Sequence, residues 1–309
     1  MNNNEMENKY DVIIIGAGSA GLPAGMYASR YKLKNLIIGA IPGGALGTSH
    51  MVENYPGTIS APGGEIMKNF MEHAKAAGSE MKTEFVTELV ECDYGFGIRT
   101  QSGNEYEAKK VILATGNKYR KLGIPGEERY LGKGVSYCAT CDGMFFRGRE
   151  LVVVGGGNTA FVEALYLSEI ASKVHILYRG DKPKAEKIWQ EKAKEKENIE
   201  IHLNTEVEEI RGEDFVTNLL LKSGDELKAD GVFVAIGTIP DTKIVDTLSI
   251  KKDEEGCIIV DQRQESSIKG LYAAGDVTTN SNKFRQTIMS AAEGCLAANS
   301  VHEDIIKEG

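Results

Sequence analysis

Two cysteines stand three positions apart and are followed at once by an acid, Cys138-Ala-Thr-Cys141-Asp142. Thiols at this spacing close a small disulfide ring with little backbone movement, and once reduced, a thiolate of the pair can attack another disulfide. The pair is therefore a candidate centre for dithiol–disulfide exchange, with Asp142 as proton donor and acceptor. A structural zinc would need a second Cys or His pair at ligand spacing. None is visible, so no metal is expected. Cys92, Cys257 and Cys295 stand alone and read as small apolar or loop residues. Five cysteines in 309 residues are too few, and odd in number, for a secreted disulfide framework.

Two glycine-rich runs suit a different task, the holding of phosphate. Gly16-Ala-Gly18-Ser19-Ala20-Gly21 follows the apolar run Val12–Ile15, and Gly155-Gly-Gly157-Asn158-Thr159-Ala160 follows Leu151–Val154. In the first, Gly16 permits the tight turn, Gly18 lets backbone approach a pyrophosphate, and Gly21 lets the helix pack close to the strand. The helix N-terminus then faces the phosphates. A ribose-binding acid is expected about 20 residues further on. Gly39-Ala-Ile-Pro-Gly43-Gly44 stands there instead, and its backbone is read as the adenosine contact. The second run has Ala160 at its third conserved position, which the fingerprint accepts. Its next strand ends in Tyr178-Arg179-Gly-Asp-Lys-Pro-Lys184, whose cations suit a 2′-phosphate and hence NADPH.

Strands and helices in a set order must hold these residues. Each glycine run reads as strand, turn and helix, with further strands at Leu36–Ile38 and Lys173–Tyr178, so one βαβ unit occurs twice. Each unit is followed by an apolar strand closing on a small-residue turn, Val111-Ile-Leu-Ala114-Thr115-Gly116 and Val232-Phe-Val-Ala-Ile-Gly237. Leu271-Tyr-Ala-Ala-Gly275-Asp276 reads as one more buried strand, returning to complete the first domain. The expected fold class is α/β: two Rossmann-like, three-layer dinucleotide-binding domains, the second inserted into the first. Their expected limits are 1–118 with 246–309, and 119–245 with the cysteine pair. Turn-rich crossings around Asn117–Gly126 and Thr238–Thr242 join them.

A net charge of −9 and a pI near 5.3, with no stripe of Lys and Arg, argue against a nucleic-acid partner. No run of about 18 apolar residues exists, and the start, Met1 to Lys9, lacks an apolar signal-peptide core. A cytoplasmic protein with no membrane partner is expected.

Further pieces stand in a fixed order: Val52-Glu-Asn54-Tyr-Pro-Gly57, Ala114-Thr115-Gly116, Cys138 to Gly143, Gly155 to Ala160, Ala273-Ala-Gly275-Asp276 and Arg285-Gln286. Together they resemble the low-molecular-weight thioredoxin reductases of bacteria, lower eukaryotes and plants, over nearly the whole chain, from about Tyr10 to Ser300. The resemblance implies an FAD domain made of the two terminal segments. Its contacts would be Gly16, Gly18, Ser19, Ala20, Gly21, Gly43, Gly44, Leu46, Asn54, Ala114, Thr115, Gly116, Gly275, Asp276, Arg285, Gln286 and Thr287. The middle segment would bind NADPH through Gly155, Gly157, Asn158, Thr159, Ala160, Arg179 and Lys184. Cys141 would be the thiol next to the flavin, Cys138 the thiol that attacks thioredoxin or a thioredoxin-like protein, and Asp142 the acid/base. Met144, Phe145 and Phe146 would lie near the docking surface or pack locally. A homodimer is implied by the same resemblance.

The chain departs from the family at the coenzyme motif HRRxxxR, where Tyr178 to Lys184 keeps one arginine, has Gly180 for the second and Lys184 for the third. Lysine is a point charge where arginine is a bidentate fork. NADH therefore stands beside NADPH as donor, and reduced ferredoxin, or a redox sensor without turnover, are the alternative readings. Ala45 replaces the glutamine usual after the flavin-loop glycines, and the stretch between Asp276 and Arg285 is slightly long.

Overall fold

The computed structural model describes residues 8–49, 51–281 and 284–308. The polar start at Met1 and part of the long stretch before Arg285 lie outside the described residues. Contacts divide the chain into two units, Met1–Lys118 with Ile239–Gly309, and Tyr119–Thr238.

In the first unit, Lys9–Ile15 (β1) leads through Gly21–Arg30 (α1) to Asn35–Ile38 (β2), then through Gly63–Ala77 (α2) to Glu80–Lys82 (β3). The three strands lie side by side and parallel. Alternate side chains of β1 feed opposite faces. Val12 and Ile14 pack with Leu22, Ala24 and Ala28 of α1, while Ile13 and Ile15 pack with Leu89, Phe96 and Ile98. Burial on both faces is why β1 reads as a continuous apolar run rather than an alternating one. Val86–Cys92 (β4), Gly95–Thr100 (β5) and Glu105–Leu113 (β6) form an antiparallel meander, and β6 also runs parallel to β1.

Asn117–Tyr119 (β7) leads into the middle unit. There Val135–Ser136 (β8), Ala139–Asp142 (α3), Glu150–Val154 (β9), Asn158–Ser168 (α4), Lys173–Tyr178 (β10), Lys187–Lys194 (α5) and Ile199–Leu203 (β11) follow in order. Val207–Gly212 (β12), Val216–Leu221 (β13) and Glu226–Lys228 (β14) make a separate antiparallel sheet before Gly231–Val234 (β15). The main sheet has the order β11-β10-β9-β15-β8, all parallel. Val153, Ile176 and Phe233 face Phe161 and Leu167 on one side, and Val152, Leu177 and Val232 face Ile210 and Leu219 on the other.

Thr238–Pro240 (β16) leads back out, and Leu271–Ala273 (β17) then pairs in parallel with the second half of β6, ahead of Thr287–Glu308 (α6). The return falls at Ile239 rather than the expected 246, because Ile244 and Val245 already pack in the first unit's core beside Leu271. In each unit the outgoing and incoming chain meet. Asp241 N–H donates to Gly116 O at 2.9 Å in the first, and Arg120 N–H donates to Gly237 O at 3.0 Å in the second. Among the described residues, no helix is long and apolar enough to cross a membrane.

Candidate active site

Cys138 and Cys141 form a disulfide with their Cα atoms 5.4 Å apart. The short strand β8 delivers the pair, and the loop after it is held by side-chain hydrogen bonds. Ser136 Oγ accepts from Cys138 N–H at 3.0 Å and donates to Asp142 Oδ2 at 2.7 Å. Cys138 caps α3, its Sγ accepting from Cys141 N–H at 3.2 Å. In the reduced pair the same bond would favour negative charge on the Cys138 sulfur over its partner. On the other side, Tyr137 Oη donates at 2.6 Å to the buried carboxylate of Glu127, which also accepts from the N–H groups of Leu122 and Gly123.

Glu163 of α4 stands near Ala139, the residue after Cys138, and the Ala139 N–H partly offsets the cost of its charge. Its Oε2 is sealed from solvent with no partner among the described residues, and burial pushes the carboxyl up to about 7. Ser136, Glu127 and Glu163 are not evident from the sequence. The only signal at Glu163 is an acid within the apolar stretch Phe161 to Leu165. Of the three residues after Gly143, Phe146 packs edge-on against Phe233 with ring centroids 5.6 Å apart, whereas Met144 and Phe145 are 51% and 82% exposed.

In the first unit, the glycines of the 16–21 turn are dictated by space. A Cβ on Gly16 would lie 2.1 Å from Ala114 O, and one on Gly21 would lie 1.8 Å from Gly16 O. Ser19 and Ala20 complete the turn, and Gly43 N–H donates to Ala17 O at 2.9 Å, which docks the Gly43-Gly44 loop against it. Leu46 packs at the edge of the same core. Asn54 and Gln286, far apart in sequence, meet with Nδ2 donating to Oε1 at 2.9 Å.

The Ala114-Thr115-Gly116 strand end lies beside β17, whose own end carries Gly275 and Asp276. Asp276 accepts from Asn117 Nδ2 at 3.1 Å and from Ser290 Oγ at 3.4 Å. Its burial raises the carboxyl above the ordinary range, opposed by the charge of Arg285. Asn117 Oδ1 and Arg285 Nε are sealed from solvent without a partner among the described residues. Buried polar atoms are rarely left so, and a polar group such as a flavin side chain would satisfy them. The residues therefore fit a flavin. Thr287 opens α6, and Glu293, which no sequence motif marks, accepts from Gly275 N–H at 2.8 Å and Ser281 Oγ at 2.6 Å. Cys295 of the same helix is raised to about 11 by burial, consistent with an inert thiol.

The second glycine turn repeats the first. Gly155 N–H donates to Leu177 O at 2.9 Å, and a Cβ on it would lie 2.2 Å from Ala235 O. Gly157 leaves open space before α4, Thr159 is exposed and Ala160 is buried. Asn158 turns its amide to Glu186, accepting from Glu186 N–H at 2.7 Å. Lys184 and Ala185 donate their N–H groups to Gly156 O at 2.7 and 3.0 Å, folding the basic segment over the turn and leaving the side chains of Arg179 and Lys184 exposed. The cradle and its cations fit a pyridine nucleotide. The Tyr178 ring fills the space between two glycines: a Cβ on Gly156 would meet it at 2.3 Å and one on Gly180 at 2.7 Å. Tyrosine at 178 and glycine at 180 are thus one coupled departure.

Residues 10–294 match the profile of the pyridine nucleotide-disulphide oxidoreductases. The thioredoxin reductase of Bacillus subtilis (strain 168) is 43% identical over 302 residues, covering 96% of this chain and 94% of the relative. That of Treponema pallidum (strain Nichols) is also 43% identical over 302 residues, covering 96% and 97%. Among solved structures, the thioredoxin reductase of Lactococcus lactis matches with a TM-score of 0.91 at 37% identity, covering 96% of this chain and 99% of the other.

Proposed function

The chain belongs to the pyridine nucleotide-disulphide oxidoreductases, and on that premise we propose that it is a thioredoxin reductase, taking electrons from NADPH through FAD to Cys138–Cys141 and on to thioredoxin or a similar small disulfide protein. The observation that carries this reading is a redox disulfide in a chain that also holds two strand–glycine–helix turns. FAD, when bound, would supply the two-electron chemistry between nicotinamide and thiol. The chain's own task is to hold and aim the thiols.

With the pair reduced, Cys138 Sγ attacks one sulfur of the partner's disulfide, forming a mixed disulfide and releasing the other partner sulfur as thiolate. Cys141 Sγ then attacks Cys138 Sγ, which restores the Cys138–Cys141 bond and frees the second partner thiol. The partner gains two electrons and the pair loses two. The hydrogen bond from Cys141 N–H to Cys138 Sγ supports Cys138 as the attacking thiol. We assign Asp142, oriented by Ser136, to giving and taking the protons of the departing sulfurs. The second glycine turn and the cysteine pair belong to the same middle unit, and we infer that the unit swings on its two crossings to use them in alternation. A cytoplasmic homodimer is the assembly this reading implies.

Stopped-flow flavin absorbance with NADPH and NADH in parallel tests the assignment. Rapid bleaching by NADPH followed by reoxidation with thioredoxin is expected, and a protein that stays colourless after added FAD would sink it. The coupled pair at 178 and 180 yields a sharper expectation. Tyr178→His together with Gly180→Arg should raise the NADPH-over-NADH ratio of kcat/KM by about tenfold, through one more charged donor for the 2′-phosphate. Gly180→Arg alone, with the ring still in its path, should gain little. An unchanged ratio in the double variant would remove 179–184 from the coenzyme site.

A further inference from the structure

β10 and β11 are parallel neighbours with His175 opposite Glu200 and Leu177 opposite His202. Side chains alternate along a strand, so His175, Glu200 and His202 share one face of the sheet. Their ligand atoms make a tight triangle. His175 Nδ1 stands 3.0 Å from His202 Nε2 and 3.4 Å from Glu200 Oε2, and His202 Nε2 stands 3.6 Å from that same oxygen. Around a tetrahedral Zn²⁺ with bonds of about 2.0–2.1 Å, adjacent ligands are about 3.3 Å apart. The triangle matches one face of such a tetrahedron to within about 0.3 Å.

The carboxylate behind His175 favours the same occupant. His175 is 2% exposed, and its other nitrogen, Nε2, lies 3.0 Å from Glu150 Oε1. With Glu150 accepting from Nε2–H, the Nδ1 lone pair is directed at Glu200 and His202. A carboxylate behind an imidazole is how metal sites fix the tautomer and orientation of a histidine ligand. Lys228 Nζ stands 3.5 Å from the other oxygen of Glu150. Lys173 Nζ pairs at 2.7 Å with Glu200 Oε1, the carboxylate oxygen outside the triangle.

We propose that His175, Glu200 and His202 bind a divalent transition ion of the Zn²⁺ class, with water completing the tetrahedron on the exposed side and the ion tying β10 to β11. Two nitrogens and one carboxylate oxygen, without thiolate, suit Zn²⁺ and Co²⁺ alike. The site uses none of the residues assigned to thiols or nucleotides, and it departs from the expectation drawn from the sequence, which is of no metal. Glu200 and His202 have strand-period spacing, but His175 joins them only through the pairing of β10 with β11.

The test uses the purified full-length protein, kept oxidised so that Cys138 and Cys141 stay bonded. Zn²⁺ is titrated against a chromophoric chelator, and Co²⁺ is followed by its visible absorption. The wild type should hold one ion per chain, with cobalt bands of tetrahedral nitrogen and oxygen coordination. His202→Ala and Glu200→Ala, at side chains 34% and 48% exposed, should each weaken Zn²⁺ binding at least about tenfold. Equal affinity in wild type and His202→Ala overturns the proposal. So does a cobalt–sulfur charge-transfer band that persists in both variants, since thiolates would then be the ligands.

Discussion

Replacing Cys138 with serine should cut thioredoxin-linked turnover by at least about a thousandfold, while flavin reduction by the nicotinamide coenzyme proceeds at close to the wild-type rate. A serine hydroxyl is not ionised at neutral pH and cannot enter a disulfide, so the step that passes electrons to a partner is lost. Cys141 remains, and with it the thiol assigned next to the flavin. Exposure alone would rank the thiols the other way, because Cys141 is the more exposed of the two. The hydrogen bond from Cys141 N–H to Cys138 Sγ, at 3.2 Å, argues for Cys138 as the thiol that meets the partner. Steady-state turnover and stopped-flow flavin bleaching on Cys138→Ser and Cys141→Ser separate the two orders. If Cys138→Ser, and not Cys141→Ser, lost the long-wavelength absorption of a thiolate next to oxidised flavin, the assignment would be reversed.

Glu163→Gln should stabilise the middle unit at pH 8 by up to roughly 3 kcal/mol and leave its stability almost unchanged at pH 4. The Glu163 carboxyl ionises near 4.5 in the unfolded chain and near 7 in the fold. Below 4.5 both states carry the proton and the wild type has no handicap. As pH rises through this window, the unfolded chain gives up its proton first and folding loses free energy, levelling off above about 7. Glutamine keeps an acceptor for Ala139 N–H and has no charge to bury. Trp189, the single tryptophan, lies in the middle unit and reports its unfolding directly. Denaturation curves from pH 4 to 8 that run parallel for wild type and variant would mean that Glu163 does not carry this burden.

The parts of the fold and site legible in the sequence are those where backbone space or chemistry permits one residue type. Gly16 and Gly155 lie against carbonyl oxygens at distances no Cβ tolerates, so a glycine after each apolar strand marks each turn before any coordinates. The cysteine pair announces itself by spacing. What stays hidden is everything assembled by pairing across the chain. Ser136 matters because its hydroxyl bridges Cys138 N–H to Asp142, and Glu293 because a turn of α6 brings it beneath Gly275. The separate sheet β12–β14 has no motif to mark it, only short strands. Tyr178 looks like a lost histidine until its ring is seen filling the space above Gly156 and Gly180.

The meeting of outgoing and incoming chain, through Gly116 and Asp241 on one side and Arg120 and Gly237 on the other, makes the molecule modular. Cutting at both crossings gives three pieces, the middle unit and the two segments of the first, and the ends of those two segments already meet, so a few-residue bridge can reseal the first unit and the second needs no refolding of its termini. A cassette of this kind can be exchanged between relatives as a cartridge, carrying its thiols with it and leaving the host's core undisturbed.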